Sequence, residues 1–272
     1  MDDRNPQAKQ MADASMVRNL AAQADAIWPQ EEPIVRAHAL PPTPRILDVG
    51  TGTGEIASRL ARAFPTAHVI GVDLLEDHLA LARTRYADLA DRLEFRRADA
   101  FELPFPAHAF DLVVCRHVLQ AIPHPERVLA EMVRVARPGG TLHLIPEDYD
   151  MIHAAPARLD VNAFWRAAPR AYAAASGTDL FIGRNAYHHL RKLPVTDIRY
   201  HYAMVDTLRV PRDTFATIFE AWRDGYVEPL AAALGWSQDD VRARFQATID
   251  CIRDPDGYAL WVVPIVTARV NG

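Results

Sequence analysis

Residues 45–60, RILDVGTGTGEIASRL, constrain the fold more than any other part of the chain. A short apolar run carries Asp48 near its end. Glycines follow at positions 50, 52 and 54, and helical spacing begins at Glu55. Glycine permits the positive φ of a tight turn and lets a ligand lie against bare backbone. The helix start beyond it offers free N–H groups and a partial positive charge. A strand that turns this sharply into a helix opens a parallel α/β sheet, so strands and helices should alternate onward from it.

The following hundred residues carry that alternation. Strands are expected at 45–49, 67–73, 93–99, 110–116 and 141–147, with helices at 55–64, 76–90 and 125–136. The runs VIGV and LVVC are almost wholly apolar, as strands covered on both faces must be. Upstream, residues 1–14 read as frayed. Residues 15–27 have helical apolar spacing, with Ser15 as a candidate cap, and LPPTP separates that helix from the first strand. Downstream, residues 148–193 read as helices and 196–208 as a strand. Two further helices follow at 211–234 and 237–252, then a closing strand at 258–270.

Three acids fall at the carboxyl ends of the first three strands. Asp73 lies nineteen residues past Gly54, where a carboxylate can accept both hydroxyls of a ribose. Asp99 ends RRAD, and Asp48 ends the first strand. Open parallel sheets bind ligands at this edge. The turn spacing is G-x-G-x-G and not the G-x-G-x-x-G that rests a pyrophosphate on the helix end. An acid at position 48 suits a ligand with a cationic amino-acid part better than a pyrophosphate, which argues against an NAD-linked oxidoreductase.

Composition excludes other classes. The 272 residues are 50% hydrophobic and 24% charged with a formal net charge of -5, so the chain can bury a sizeable core and is not a nucleic-acid-coating protein. Two cysteines make no disulfide framework, and a reduced cytoplasmic setting is the simplest reading. The polar opening MDDRNPQAKQMADAS lacks a signal core, and no window has the length of a membrane span. No metal site is expected, since the YHH of residues 187–189 lacks a third ligand at suitable spacing.

The segments ILDVGTGTG, GVDLLEDHLALAR and RADAFELPFPAHAFDLVVCRHVLQAIPHPERVLAEMVRVARPGGTLHL resemble the S-adenosylmethionine-dependent methyltransferases of the Rossmann-like class. The nearest type is that of ubiquinone/menaquinone biosynthesis and its small-molecule cousins. The resemblance covers about residues 45–145. It implies an α/β fold with a seven-stranded, mostly parallel, doubly wound sheet, an antiparallel last strand and helical lid insertions. It implies three regions: a helical segment over the cofactor at 1–44, the cofactor-binding core at 45–146, and sheet completion with a substrate lid at 147–272. S-adenosyl-L-methionine is the implied cofactor. Gly50, Thr51, Gly52 and Gly54 would line its methionine part, Asp48 would orient the loop, and Asp73 would hold the ribose. Leu74 would pack on the adenine, Asp99 would meet the adenine amino group, and Ala100 would give the ring a backbone N–H. Arg116 would offer its backbone carbonyl to the ammonium, and Gln23 could bond the carboxylate.

The acceptor side is less defined. His117, beside the cofactor loop, is a candidate general base, with Gln120 on the next turn. Glu147 and His153 leave the sheet on its ligand-facing edge and are the other catalytic candidates. Phe164, Trp165, Tyr172, Phe215, Phe219, Trp222 and Tyr226 have core spacing and could also wall an apolar pocket, favouring a small organic acceptor over protein or RNA. Arg166, Arg170 and Arg184 could pair with an acceptor carboxylate. The expected activity is methyl transfer to O, N or C of a small molecule. The alternative is a cofactor-binding isomerase or cyclase on the same fold. No nucleic-acid or membrane partner is expected, and a homodimer is an allowed assembly.

Overall fold

The computed structural model describes residues 6–271. The chain runs α1 (Ala8–Met11), α2 (Ala14–Arg36), β1 (Arg45–Val49), α3 (Glu55–Ala63), β2 (His68–Asp73), α4 (Glu76–Arg85), β3 (Leu93–Arg97), β4 (Phe110–Arg116), α5 (Pro125–Val135) and β5 (Ala136–Ile145). The second half adds β6 (Ile152–Ala155), α6 (Val161–Ser176), α7 (Ile182–Leu190), β7 (Val195–Asp206), α8 (Arg212–Leu234), α9 (Gln238–Arg253) and β8 (Tyr258–Val270).

Strands β3-β2-β1-β4-β5 lie side by side in parallel, and β8 joins β5 antiparallel. β7 covers nearly the whole other edge of β8. The expected doubly wound sheet with an antiparallel last strand is present, with one short addition. β6 pairs antiparallel with residues 258–261 of β8, while β5 pairs with 266–269, so β6 extends the β5 position along the same edge. Its alternating burial is too short a signal to read over four residues.

Apolar alternation assigns the faces. In β1, Ile46 packs with α2, α3 and α4, whereas Leu47 and Val49 pack with α5 and α7. In β8, Trp261, Val263 and Ile265 face the layer of α6, α8 and α9, and Val266, Ala268 and Val270 face α7. Thus α7 covers the back of the sheet. Within the region 147–272 in which a lid is expected, α7 packs with α5 and not with α6 and α8.

The N-terminal readings need correction. The frayed tail expected for residues 1–14 falls partly on residues 1–5, outside the described residues. Beyond them Gln7 is buried and hydrogen-bonded to α8. Asp13, not Ser15, caps α2 by accepting from Ser15 N–H. The helix then continues to Arg36 through Pro29 and Pro33. Proline removes an N–H and crowds the preceding turn, but tertiary contacts hold the helix here. Trp28, Glu31 and Val35 are buried, and Gln30 clasps Met204 of β7 by two hydrogen bonds of 2.9 and 3.0 Å. Among the described residues no helix is long and apolar enough to cross a membrane.

Candidate active site

The glycine turn is tied to the ends of two strands. Gly50 and Thr51 donate N–H to Val72 O at 2.8 and 2.9 Å. Thr51 Oγ1 donates to Asp48 Oδ2 at 2.7 Å. Gly52 N–H reaches Asp73 Oδ2 at 2.8 Å, and Leu75 N–H reaches Oδ1 at 3.0 Å. Gly50 and Gly52 have φ of +73° and +52°, and a Cβ on Gly52 would lie 2.7 Å from Leu20 of α2. Larger residues would therefore suffer both strain and collision there.

One pocket gathers most of the predicted cofactor residues. Gly50, Gly52, Asp73, Leu74, Asp99, Ala100 and Arg116 line it, together with His117 and with Met11 and Leu20 from the N-terminal helices. Asp48, Thr51 and Gly54 do not line it; Asp48 is bonded to Thr51, and Gly54 N–H closes the turn on Thr51 O at 2.9 Å. Asp99 also accepts from Phe101 N–H at 2.9 Å. Gln23 is buried on α2, and its Oε1 has no hydrogen-bond partner. Asn19 Oδ1 and Thr53 Oγ1 share that condition. Buried polar atoms left in this state are costly. Thr53 belongs to the turn, and Asn19 and Gln23 lie on the helix whose Leu20 packs on Gly52, so two acceptors and a hydroxyl are left for a ligand that brings donors, as an amino-acid ammonium does. Burial pushes the Asp48 carboxyl up to about 6, against the lowering effects of the Thr51 hydroxyl and Arg116.

Beneath the pocket lies a buried network that the sequence reading missed. The Arg116 side chain pairs with Glu31 at 3.4 Å, and both are almost fully buried. Glu31 Oε1 meets His143 Nε2 at 3.0 Å, and His143 Nδ1 meets His38 Nε2 at 3.0 Å. Burial opposes ionisation of Glu31, but Arg116 and His143 outweigh it and hold the carboxyl below its ordinary value. Burial, with His143 next, pushes His38 down to about 3, so it is neutral at physiological pH. The available signal was a histidine inside the apolar strand TLHLI.

His117 and Glu147, two separate candidates in the sequence, form a pair. His117 Nδ1 and Glu147 Oε1 are 2.5 Å apart, and Glu147 is fully buried. His117 takes a left-handed φ of +55°, uncommon for a residue with a Cβ and more frequent at functional sites. His117 Nε2 and Glu147 Oε2 have no hydrogen-bond partner. His153 is not brought to the pair: it stands exposed on β6, paired in register with Leu260. The arginines are also engaged elsewhere. Arg184 grips Asp148 through two 2.6 Å bonds, Arg170 pairs with Asp150 at 3.0 Å, and Arg166 is exposed.

A second cavity lies between α6 and α8. Trp165, Tyr172, Trp222 and Tyr226 line it, as expected, with Tyr149, Phe245 and Gln7. Phe164, Phe215 and Phe219 are instead fully buried core. Ring contacts connect this cavity to the pair. Trp222 lies 5.2 Å from Trp261, which lies 6.2 Å from His117. Gln7 accepts from Tyr226 Oη at 2.8 Å and its Nε2 reaches Gln120 O at 3.4 Å, spanning both pockets.

The family model described as a methyltransferase domain matches residues 47–144. Over 101 residues the chain is 39% identical to the ubiquinone/menaquinone biosynthesis C-methyltransferase UbiE of Pseudomonas entomophila (strain L48), covering 36% of this chain and 40% of that protein. The chain thus matches about two fifths of that relative's length. Among solved structures, it is similar to the Haemonchus contortus phosphoethanolamine N-methyltransferase 2 in complex with S-adenosyl-L-methionine. That likeness has a TM-score of 0.59 at 21% identity and covers 97% of this chain and 60% of that one. The [4+2]-cyclase SpnF is similar too, with a TM-score of 0.52 at 22% identity over 95% of this chain and 81% of that one. These structural likenesses establish the Rossmann-like fold that the chain shares with them.

Proposed function

We propose that the protein is an S-adenosylmethionine-dependent methyltransferase acting on a small organic acceptor. The observation that carries this reading is the convergence of the glycine turn, Asp73, Asp99 and His117 on one pocket. The family match over residues 47–144 supports it. Residues 45–146 would hold the cofactor, 1–44 would roof it, and 147–272 would complete the sheet and shape the acceptor cavity. When bound, S-adenosylmethionine supplies an electrophilic methyl group on a sulfonium.

The chain's own residues then have distinct tasks. Asp73 would accept the ribose hydroxyls. Asp99 and Ala100 would address the adenine beside Leu74. Asp48 would face the ammonium through the turn, whose positive charge favours the ionised carboxylate. The partnerless Gln23 and Asn19 amide oxygens would accept from the ammonium, and the Thr53 hydroxyl would donate to the carboxylate. His117 is the general base, with Nε2 toward the acceptor and Nδ1 held by Glu147. A carboxylate so placed fixes the tautomer and orientation of the imidazole. The aromatic cavity would exclude water and hold the acceptor in line.

The fold also hosts a cyclase, so fold alone does not decide the chemistry. Purified protein incubated with methyl-labelled S-adenosylmethionine and a pool of small metabolites should place label in a small product. A rearranged, unlabelled product would instead favour the cyclase reading. Glu147→Gln should lower the transfer rate by about 10²–10⁴, the typical contribution of a positioned base, while cofactor affinity stays within a factor of a few.

A further inference from the structure

We infer that the acceptor is a small amine, bound as its ammonium form in the aromatic cavity beside Glu147. This rests on the methyl-transfer reading and narrows its acceptor class.

The cavity has the construction of a cation box. Its rings stand nearly at right angles to one another: Tyr172 and Tyr226 at 88° with centroids 5.9 Å apart, Tyr149 and Trp222 at 71° and 5.4 Å, Trp165 and Phe245 at 89° and 5.3 Å. Walls set this way present both faces and edges to an occupant, and aromatic faces attract cations through their quadrupole. None of the described lining residues is lysine or arginine, so an anionic acceptor finds no counter-charge. The arginines that adjoin these walls in sequence are turned to other partners: Arg223 to Gln246 and Asp224, Arg244 to Asp240 and Arg170 to Asp150, while Arg166 is exposed.

A carboxylate stands just outside these walls. Glu147 lies two residues before Tyr149 and is fully buried, and its Oε2 has no hydrogen-bond partner. Burial first, and the Glu147 charge second, push the Tyr149 phenol well above its ordinary range, consistent with a negative field at that wall. A phenolate forming there would repel Glu147, whereas an ammonium is attracted by it.

The chemistry closes with the same residues. The ammonium gives one proton to His117 Nε2. The freed nitrogen lone pair forms a C–N bond as the C–S bond of the sulfonium breaks, and that electron pair stays on sulfur. The product leaves as the N-methyl ammonium, and His117 returns its proton to solvent.

The test uses the whole protein saturated with S-adenosylhomocysteine, titrated with tetramethylammonium chloride, with neutral tert-butanol of similar shape, and with phenol. Binding is followed by calorimetry and by quenching of Trp165 and Trp222 fluorescence. Tetramethylammonium should bind about tenfold or more tightly than tert-butanol, as cation–π and carboxylate attraction together imply. Glu147→Gln should shrink that ratio, and Trp222→Leu should weaken the cation more than the alcohol. Equal or tighter binding of tert-butanol or phenol overturns the amine assignment. The methyl-transfer reading fails separately, if S-adenosylhomocysteine itself gives no heat.

Discussion

The Asp73 carboxylate accepts two backbone N–H groups, one through each oxygen. An ionised carboxylate has about four acceptor positions, so two remain for a diol while the first two hold the turn in place. Asp73→Ala should therefore weaken S-adenosylhomocysteine binding by about tenfold or more, since each charge-assisted bond is worth roughly 1.5–3 kcal/mol. Unchanged affinity by calorimetry in the folded variant would put Asp73 outside the ligand contacts.

Asp48 behaves in the opposite sense. Its folded pKa is raised from 3.8 to about 6, so folding favours the protonated acid. The stability linked to this group is complete below about pH 4, falls as pH rises toward about 6, and stays low above that. Asp48→Asn should raise the urea midpoint at pH 7.5, by an amount on the order of 3 kcal/mol in stability, with little gain at pH 4. The same variant should bind the cofactor more weakly, because the ammonium loses its acid. A midpoint shift equal at the two pH values would locate the effect in packing and not in ionisation.

Helix α2 separates what local sequence can say from what it cannot. The spacing of Met16, Leu20, Ala24 and Ile27 marks a helix, and the helix is there. Its last nine residues were hidden by Pro29 and Pro33, since local rules end a helix at proline and only the Gln30 clasp on β7 and the burial of Val35 override them. The same hidden segment brings Glu31 to Arg116 and His143, partners 85 and 112 residues away in sequence that no spacing rule joins. By contrast the glycine turn and its acids were legible because their geometry is local to strand ends. Removing one member of a buried ion pair leaves the other charge uncompensated and typically costs about 3–5 kcal/mol, while replacing both by apolar groups is often neutral. Glu31→Ala should accordingly lose stability of that order in urea denaturation. The double variant Glu31→Met/Arg116→Met should recover much of it. A double variant as unstable as the single one would mean that Arg116 serves Asp48 more than Glu31.

At the scale of the whole molecule, one sheet divides two kinds of helix, and sequence alone does not say which is which. Helices α6 and α7 both carry apolar residues at helical spacing, but α6 packs with α8 and α9 over the β8–β7 end, and α7 packs with α5 behind it. The aromatic residues separate them in retrospect: α6 and α8 supply Trp165, Tyr172, Trp222 and Tyr226 to the cavity, while α7 contributes Ile182, Ala186 and Leu190 to the back core. The N-terminal segment that ends in α1 joins the front group, since Gln7 bonds both Tyr226 and the carbonyl of Gln120 and Met11 walls the cofactor pocket. Both pockets are thus lined in part by these front elements, and ligand-binding elements are drawn from the less stable end of a fold. Hydrogen exchange measured with and without S-adenosylhomocysteine and an amine probe should slow in residues 6–11, 161–176 and 212–234. Residues 182–190 should change far less between the two states, because they line neither pocket and meet the site only where Gly183 N–H donates to Glu147 O at 2.8 Å. Protection confined to 182–190 would mean that ligand acts on the back of the sheet, and the assignment of the front helices as the acceptor enclosure would have to be abandoned.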